Sequence, residues 1–281
     1  MLKRQKNMVV REWKQDHINL IQFPRCGCIP TPSPFSLKLE TWLRFTKLPY
    51  TNISNEFKVG SAKGQVPFIE LNGRQLADSN FIIENLKNIF NVNIDRQLST
   101  RERADERAYS VLIEESLFRT LMYNRSRNFK WLGTDKGFAR HFTGVKKFIA
   151  EKLAVKHLQN KLKSAANAQG IGRHSAPEVD EIAKKDLSAL STLLGDKPYF
   201  FGSHPSTLDA TAFGVLAQFI ETPLENTDVK TFIEQSTPNL LEFVRRIQRE
   251  YWPDWDLLCQ KLLMNATDTP THPPVAETQP H

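Results

Sequence analysis

Along the first third of the chain, short apolar runs alternate with turn-forming residues. Ile18–Phe23 is a short, mainly apolar run ahead of Pro24 and reads as a buried strand. Residues 24–34 carry Pro24, Pro30, Pro32 and Pro34 and read as a loop. Pro34 suits the first turn of a helix and Ser33 its N-cap. Phe35, Leu37, Leu39, Trp42, Leu43 and Phe45 supply the apolar side of that helix. Leu48–Ile53 reads as a second strand. Gln65–Leu71, Asn72-Gly73 and Arg74–Leu76 read as a hairpin, with Asn-Gly as a type I′ turn signal. Ser79 is placed as the cap of a helix through Phe90, with Ile82, Ile83, Leu86 and Ile89 facing inward.

Beyond Leu98 the strand signals nearly stop. Residues 99–123, 144–163, 178–194, 207–220 and 238–249 carry helical periodicity. The expected architecture is an α/β N-terminal domain followed by an all-α C-terminal domain. The boundaries read as a basic extension over 1–15, the α/β domain over 16–92, the helical domain over 99–258 and a proline-rich tail over 265–281, expected to be disordered. A length of 281 residues fits that two-domain division.

Composition narrows the class. No run of about 18 apolar residues exists, so no membrane-spanning helix is expected. The N-terminal MLKRQKNMVVREWKQD is basic without an apolar core, which disfavours a secretory signal. Three cysteines in the chain fit a reducing compartment, so a cytoplasmic location is expected. The net charge is +7. Its excess is concentrated between Arg119 and Arg173, where 13 lysines and arginines face only Asp135 and Glu151. Such a run is a solvated helix face, or a dock for an acidic protein or an anionic membrane surface. Aromatic residues do not alternate with the basic ones, which disfavours nucleic acid.

Isolated candidates for chemistry are few. Cys26-Gly27-Cys28 invites a soft-metal reading such as cadmium, but it lacks the spacing of a structural zinc half-site and has no second pair, so ordinary loop thiols are favoured. His141, His157, His174 and His204 form no metal-ligand motif, and no metal site is assigned. Ser206 and Asp209 have the spacing of a capping box ahead of an apolar helix, which gives them a structural role.

Ser33-Pro34-Phe35-Ser36-x-Lys38 resembles the Cys-Pro-Tyr/Phe-Cys-x-Lys motif of glutaredoxins and related glutathione transferases. Val66-Pro67 resembles the Val-cisPro of the thioredoxin fold, Asp78-Ser79 the Glu/Gln-Ser pair of transferases, and Ser206–Asp209 the capping box of their helical domain. QFPR (22–25), SPFSLKLETWLR (33–44), GIGRHS (170–175), LLGDKPYFFG (193–202), STLDATAFG (206–214) and YWPDW (251–255) are similar to the failed axon connections family, metaxin-related members of the transferase superfamily. The resemblance implies a thioredoxin-like domain followed by a helical domain, glutathione as ligand or substrate, and roles in axon development or in a metal or stress response. Homodimerisation is common in the superfamily.

Carried onto this sequence, the resemblance makes Ser33 a donor to the glutathione thiolate, or simply a helix cap. Serine at both motif cysteine positions, Ser33 and Ser36, excludes dithiol redox chemistry there, because a hydroxyl forms no mixed disulfide. Gln22-Phe23 offers no phenol at the end of the first strand. Pro67 is expected to be cis, leaving the Val66 backbone to pair with an extended tripeptide. Ser79 would receive the γ-glutamyl carboxylate at a helix N-terminus, with Asp78 near the α-amino group. Lys63 and Gln65 lie in the preceding loop within reach of such a ligand. Three functions stay open: a glutathione-site protein with weak or no transferase activity, an active serine-type transferase, and a metaxin-like docking protein.

Overall fold

The structure, a computed structural model, describes residues 8–149, 153–224 and 228–262. Its sheet has the strand order β2-β1-β3-β4. β1 (Ile18–Gln22) is an inner strand and is buried at every position. α1 (Pro34–Thr46) carries the chain over to β2 (Tyr50–Ser54), which pairs parallel to β1. β3 (Phe68–Leu71) and β4 (Arg74–Ala77) form the expected hairpin. Its turn residues Asn72 and Gly73 hold φ of 50° and 75°, as a type I′ turn requires. α2 (Ser79–Phe90) packs on β3, β4 and α1.

The rest is helical. α3 (Thr100–Val111) runs through a π-helical segment (Leu112–Leu117) into α4 (Phe118–Arg127). Next come α5 (Gly144–Ile149), α6 (Val155–Gln169), α7 (Ala176–Leu194), α8 (Thr207–Glu221), α9 (Asp228–Ser236), α10 (Pro238–Tyr251) and α11 (Trp255–Lys261). α9 and α11 were not read from the sequence. They are short, and a pattern of two turns is too brief to separate from a loop. Among the described residues no helix is long and apolar enough to cross a membrane.

Two sequence expectations are corrected. Ile89 is 50% exposed, because α2 buries only a narrow stripe of Ile82, Ile83 and Leu86. The cap of α2 is Asp78, whose carboxylate accepts from the Asn80 and Phe81 N–H groups; Ser79 is already the first helical residue. The described part of the segment before β1 packs on the sheet. Ile69 and Leu71 join the main core, so Glu70 points to the opposite face of the sheet. There its carboxylate accepts the backbone N–H groups of Val9 and Val10, both at 2.8 Å, and Trp13 lies against Gly73. The tail predicted over 265–281 and the first seven residues lie outside the described residues.

α1 joins the two halves. It is pressed between the sheet and α8, and nearly its whole length is buried. The approach is so close that a Cβ on Gly214 of α8 would stand 2.6 Å from the Pro34 carbonyl oxygen. Ser206 and Asp209 cap α8: the Asp209 carboxylate accepts from Ser206 N–H, Ser206 Oγ and Phe200 N–H. Asp95, ahead of α3, accepts from the N–H and hydroxyl of Thr207 at 2.7 and 2.6 Å and pairs with Lys87. The linker is thereby fastened to the start of α8.

At the centre lies a buried carboxylate, Glu40 of α1, with 0% exposure. Arg25 meets it with two parallel bonds of 2.8 Å, Gln22 donates at 2.6 Å and the Tyr50 hydroxyl at 3.1 Å. Arg44, one turn on, bridges from Glu40 to a two-pronged pair with Asp254. Its guanidinium also lies 3.8 Å over the Trp252 ring, and Trp252 Nε1 donates to Thr41. Burial alone would push the Glu40 carboxyl up, but the Arg25 and Arg44 charges outweigh it and hold it at about 2, below its ordinary 4.5.

A depressed folded-state value means that this stabilisation is complete above pH 4.5 and disappears as pH falls through about 2. Glu40→Gln, which strands Arg25, is expected to cost about 3–5 kcal/mol in urea denaturation at neutral pH. The gap to the unsubstituted protein should close on acidification through that window. A gap unchanged by pH would show that the Glu40 charge is not the cause.

Candidate functional site

The sheet register assembles the site. Ile21 of β1, Phe68 of β3 and Ala77 of β4 stand in one row. At this row β1 leaves toward the N-terminus of α1, β3 begins directly after Val66-Pro67, and β4 ends at Asp78-Ser79. The two helix N-termini and the Val66-Pro67 turn therefore emerge at the same edge of the sheet. The Val66-Pro67 bond is cis. Ladder pairing starts only at Phe68, so the Val66 backbone is outside the sheet.

Ser33 caps α1 from an extended conformation, and its Oγ accepts the Ser36 N–H at 3.3 Å. A hydroxyl that accepts keeps its own O–H as a donor. Capping and donation to an anion at this helix end are thus compatible roles for one atom. The loop feeding Ser33 is held from inside the helical domain. Arg125, 6% exposed, donates to the Pro32 carbonyl at 2.7 Å and to Gln218 Oε1 at 2.6 Å. Gln218 in turn donates to the Thr31 carbonyl. Burial pushes the Arg125 guanidinium down to about 10, with nearby Cys26 and Cys28 acting the other way. The Ser36 hydroxyl is buried and has no partner among the described residues.

At the other helix end, Asp78 holds a φ of 80°. Lys63 faces it at 3.8 Å and lies 5.1 Å over the Phe81 ring. The loop that carries Lys63 and Gln65 is ordered by the Ser61 hydroxyl, which accepts the backbone N–H of both. Both side chains are exposed. Ser79 is 5% exposed, and neither its N–H nor its hydroxyl is claimed among the described residues. The edge therefore presents two unclaimed donors at α2 and one at α1.

Sequence reasoning missed what lies beneath. Lys38, buried at 2% exposure, donates to Asn80 Oδ1 at 2.6 Å and Glu114 Oε1 at 2.7 Å, and Asn80 closes the triangle by donating to Glu114 Oε2. Burial lowers the Lys38 pKa, and Glu114 opposes that shift. Glu114 sits in the π-helical segment, where the extra residue re-aims side chains. No local signal could have paired residues 76 apart in sequence. The triangle ties α1 and α2 to the helical domain directly behind the edge.

Cys26-Gly27-Cys28 is structural. It runs against backbone 135–137, where a Cβ on Gly27 would stand 1.9 Å from the Asp135 carbonyl oxygen. Burial pushes the Cys28 thiol up to about 11, Cys259 up to about 12 and Cys26 well above its usual range, so none is a thiolate at neutral pH. Among the described residues no three His, Cys, Asp or Glu side chains converge to hold a metal.

Comparison with known proteins agrees with this geometry. Residues 34–131 match the family model for the glutathione S-transferase N-terminal domain, and 183–247 that for the C-terminal domain. Failed axon connections of Drosophila melanogaster is 36% identical over 92% of this chain, and the chain spans 64% of that protein's length. The chain is a metaxin-related member of the glutathione S-transferase superfamily, similar to failed axon connections. Metaxin-2 of Mus musculus is 27% identical over 78% of this chain and 82% of its own length. A glutathione S-transferase of Ceriporiopsis subvermispora, solved in complex with glutathione, has the same fold, with a TM-score of 0.57 at 14% identity over 83% of this chain and 96% of that one. The family signatures find their reasons here: QFPR and YWPDW contribute Arg25 and Asp254 to the Glu40 cluster, and STLDATAFG contributes the Asp209 cap and the Gly214 contact.

Glu114→Ala leaves the Lys38 ammonium buried beside Asn80 alone, and a loss of about 3–5 kcal/mol is expected in urea denaturation. Lys38→Met combined with Glu114→Leu removes both charges and should recover most of that loss. A double variant as unstable as the single one would mean that the triangle acts through shape and not through charge.

Proposed function

We propose that the sheet edge binds glutathione or a closely similar tripeptide thiol. The single observation that carries this reading is the Ile21–Phe68–Ala77 row. It brings the Ser33 hydroxyl, the backbone beside cis-Pro67 and the unclaimed donors of Ser79 to one edge. In this reading the γ-glutamyl carboxylate sits on Ser79 at the α2 N-terminus, and Asp78 addresses the α-amino group. The extended backbone pairs with Val66, and Lys63 and Gln65 face the solvent side of the ligand. The thiol lies at the α1 N-terminus, where the Ser33 O–H and the helix dipole favour its thiolate.

Transfer is weak or absent in this reading. Among the described residues, the groups offered to the thiolate are a serine hydroxyl and a helix end, with no phenol at Phe23 and no cysteine at positions 33 or 36. An electrophile would find an aromatic wall in Phe35 and Phe118, packed edge to face at 4.9 Å. The docking alternative has less charge to use than the sequence offers: Arg125 is buried, Arg119 pairs with Glu115, and Arg140 is spent on the carbonyls of Cys259 and Gln260. A part in axon development or in a metal or stress response rests on the family resemblance alone.

Titration calorimetry with glutathione tests the reading. Wild-type binding should weaken about tenfold in Ser79→Ala, the loss of one hydrogen bond to a charged group. Ser33→Ala should retain binding but raise the pKa of the bound thiol. Conjugation of a generic electrophile that disappears in Ser33→Ala would promote the chain to an active transferase. Absence of binding at millimolar glutathione would overturn the proposal and leave the docking role.

A further inference from the structure

Gly170–Ser175, the GIGRHS signature, takes no part in the groove. Its Gly172 lines a separate polar cleft of about 380 Å³ between α4 and α6, open to solvent, in which Arg127, Asn160, Lys163 and Asn167 are exposed. Tyr123 and Arg127 project into it from α4, one turn apart; Asn160, Lys163 and Asn167 do so from α6, at helical spacing. Two packed helices ordinarily close on an apolar seam. Here the seam opens onto cations, carboxamides and hydroxyls, with no carboxylate in the lining. Neither Arg127 nor Lys163 has an acidic partner among the described residues.

The walls are held in place. The Tyr123 hydroxyl donates to the His174 carbonyl at 3.1 Å, and the Arg127 guanidinium lies 4.4 Å over the Tyr123 ring. Gln159 Nε2 donates to the Arg127 carbonyl, which ties α6 to the end of α4. The Asn167 amide oxygen occupies the place beside Gly172, 2.1 Å from where a Cβ would stand. Gly172 is therefore required for the Asn167 side chain to lie where it does. Stacking on an aromatic face leaves the Arg127 N–H fork free for an oxyanion.

We propose that this cavity binds a small phosphate-bearing polyol. Arg127 and Lys163 take the phosphate, and the carboxamides of Asn160 and Asn167 take the hydroxyls. The volume suits a compact small molecule and not a helix or an extended protein segment. The headgroup of a phosphoinositide and a soluble sugar phosphate share this chemistry. The proposal is independent of the glutathione groove, which lies at the sheet edge of the other domain.

The test uses the full chain, with fructose bisphosphate as the soluble probe in calorimetry and phosphatidylcholine vesicles with and without a phosphoinositide in sedimentation. Arg127→Gln and Lys163→Gln should each weaken binding about tenfold, the loss of one charge-assisted hydrogen bond, while Lys146→Gln, outside the cavity, leaves it unchanged. Asn167→Ala should weaken the bisphosphate more than it weakens inorganic pyrophosphate, which has no hydroxyls to lose. Retention on phosphoinositide vesicles without soluble binding, lost in the same variants, would name a lipid headgroup as the source. Equal weakening by Lys146→Gln, binding only to an acidic peptide, or no binding in either arm would overturn the proposal. Thermal melts of the variants confirm an intact fold.

Discussion

One buried carboxylate organises this molecule. Glu40 stands in the middle of α1 and is reached by Arg25 from the loop after β1, by Gln22 from β1 itself and by Tyr50 from β2. Through Arg44 the same cluster reaches Asp254, beyond the last long helix. A charge cannot be left unpaired in a core, so each of these segments has a single acceptable position. The cluster thus sets register among parts of the chain more than two hundred residues apart, as the Arg44–Asp254 pair shows with a separation of 210.

The site depends on that register at one remove. Its candidate groups are hydroxyls and backbone N–H groups at helix ends, and the direction of such groups is set by where the ends are aimed. Glu40 fixes α1 against the sheet, Gly214 lets α8 approach α1 at its first turn, and Arg125 holds the Thr31–Pro32 stretch through backbone carbonyls. The Lys38–Asn80–Glu114 triangle then joins the starts of both helices to the helical domain. Serine at positions 33 and 36 leaves no thiol there to exchange a disulfide.

Charge in the helical domain is divided between inside and outside. A basic excess looks from the sequence like a surface property, yet Arg125 is internal and Arg140 serves as a clamp on backbone carbonyls. Two of the exposed cations, Arg127 and Lys163, stand where α4 and α6 part, beside Gly172. The candidate edge in the sheet domain and the polar cleft in the helical domain are separate places in the fold.

The sequence by itself determined the strands, the long helices, the hairpin turn, the capping box at Ser206 and the order of sheet domain before helical domain. Each rests on local patterns: period, turn chemistry and cap spacing. It also placed Ser33, Val66, Pro67, Asp78 and Ser79 as candidates, through motif order. Tertiary structure alone decided that Asp78 and not Ser79 caps α2, because the choice depends on where β4 ends. It alone revealed Glu114 and Arg125, since a partner for a buried charge is selected by proximity in space and leaves no trace in spacing. The same holds for the polar cavity, whose walls come from helices that know nothing of each other until they pack.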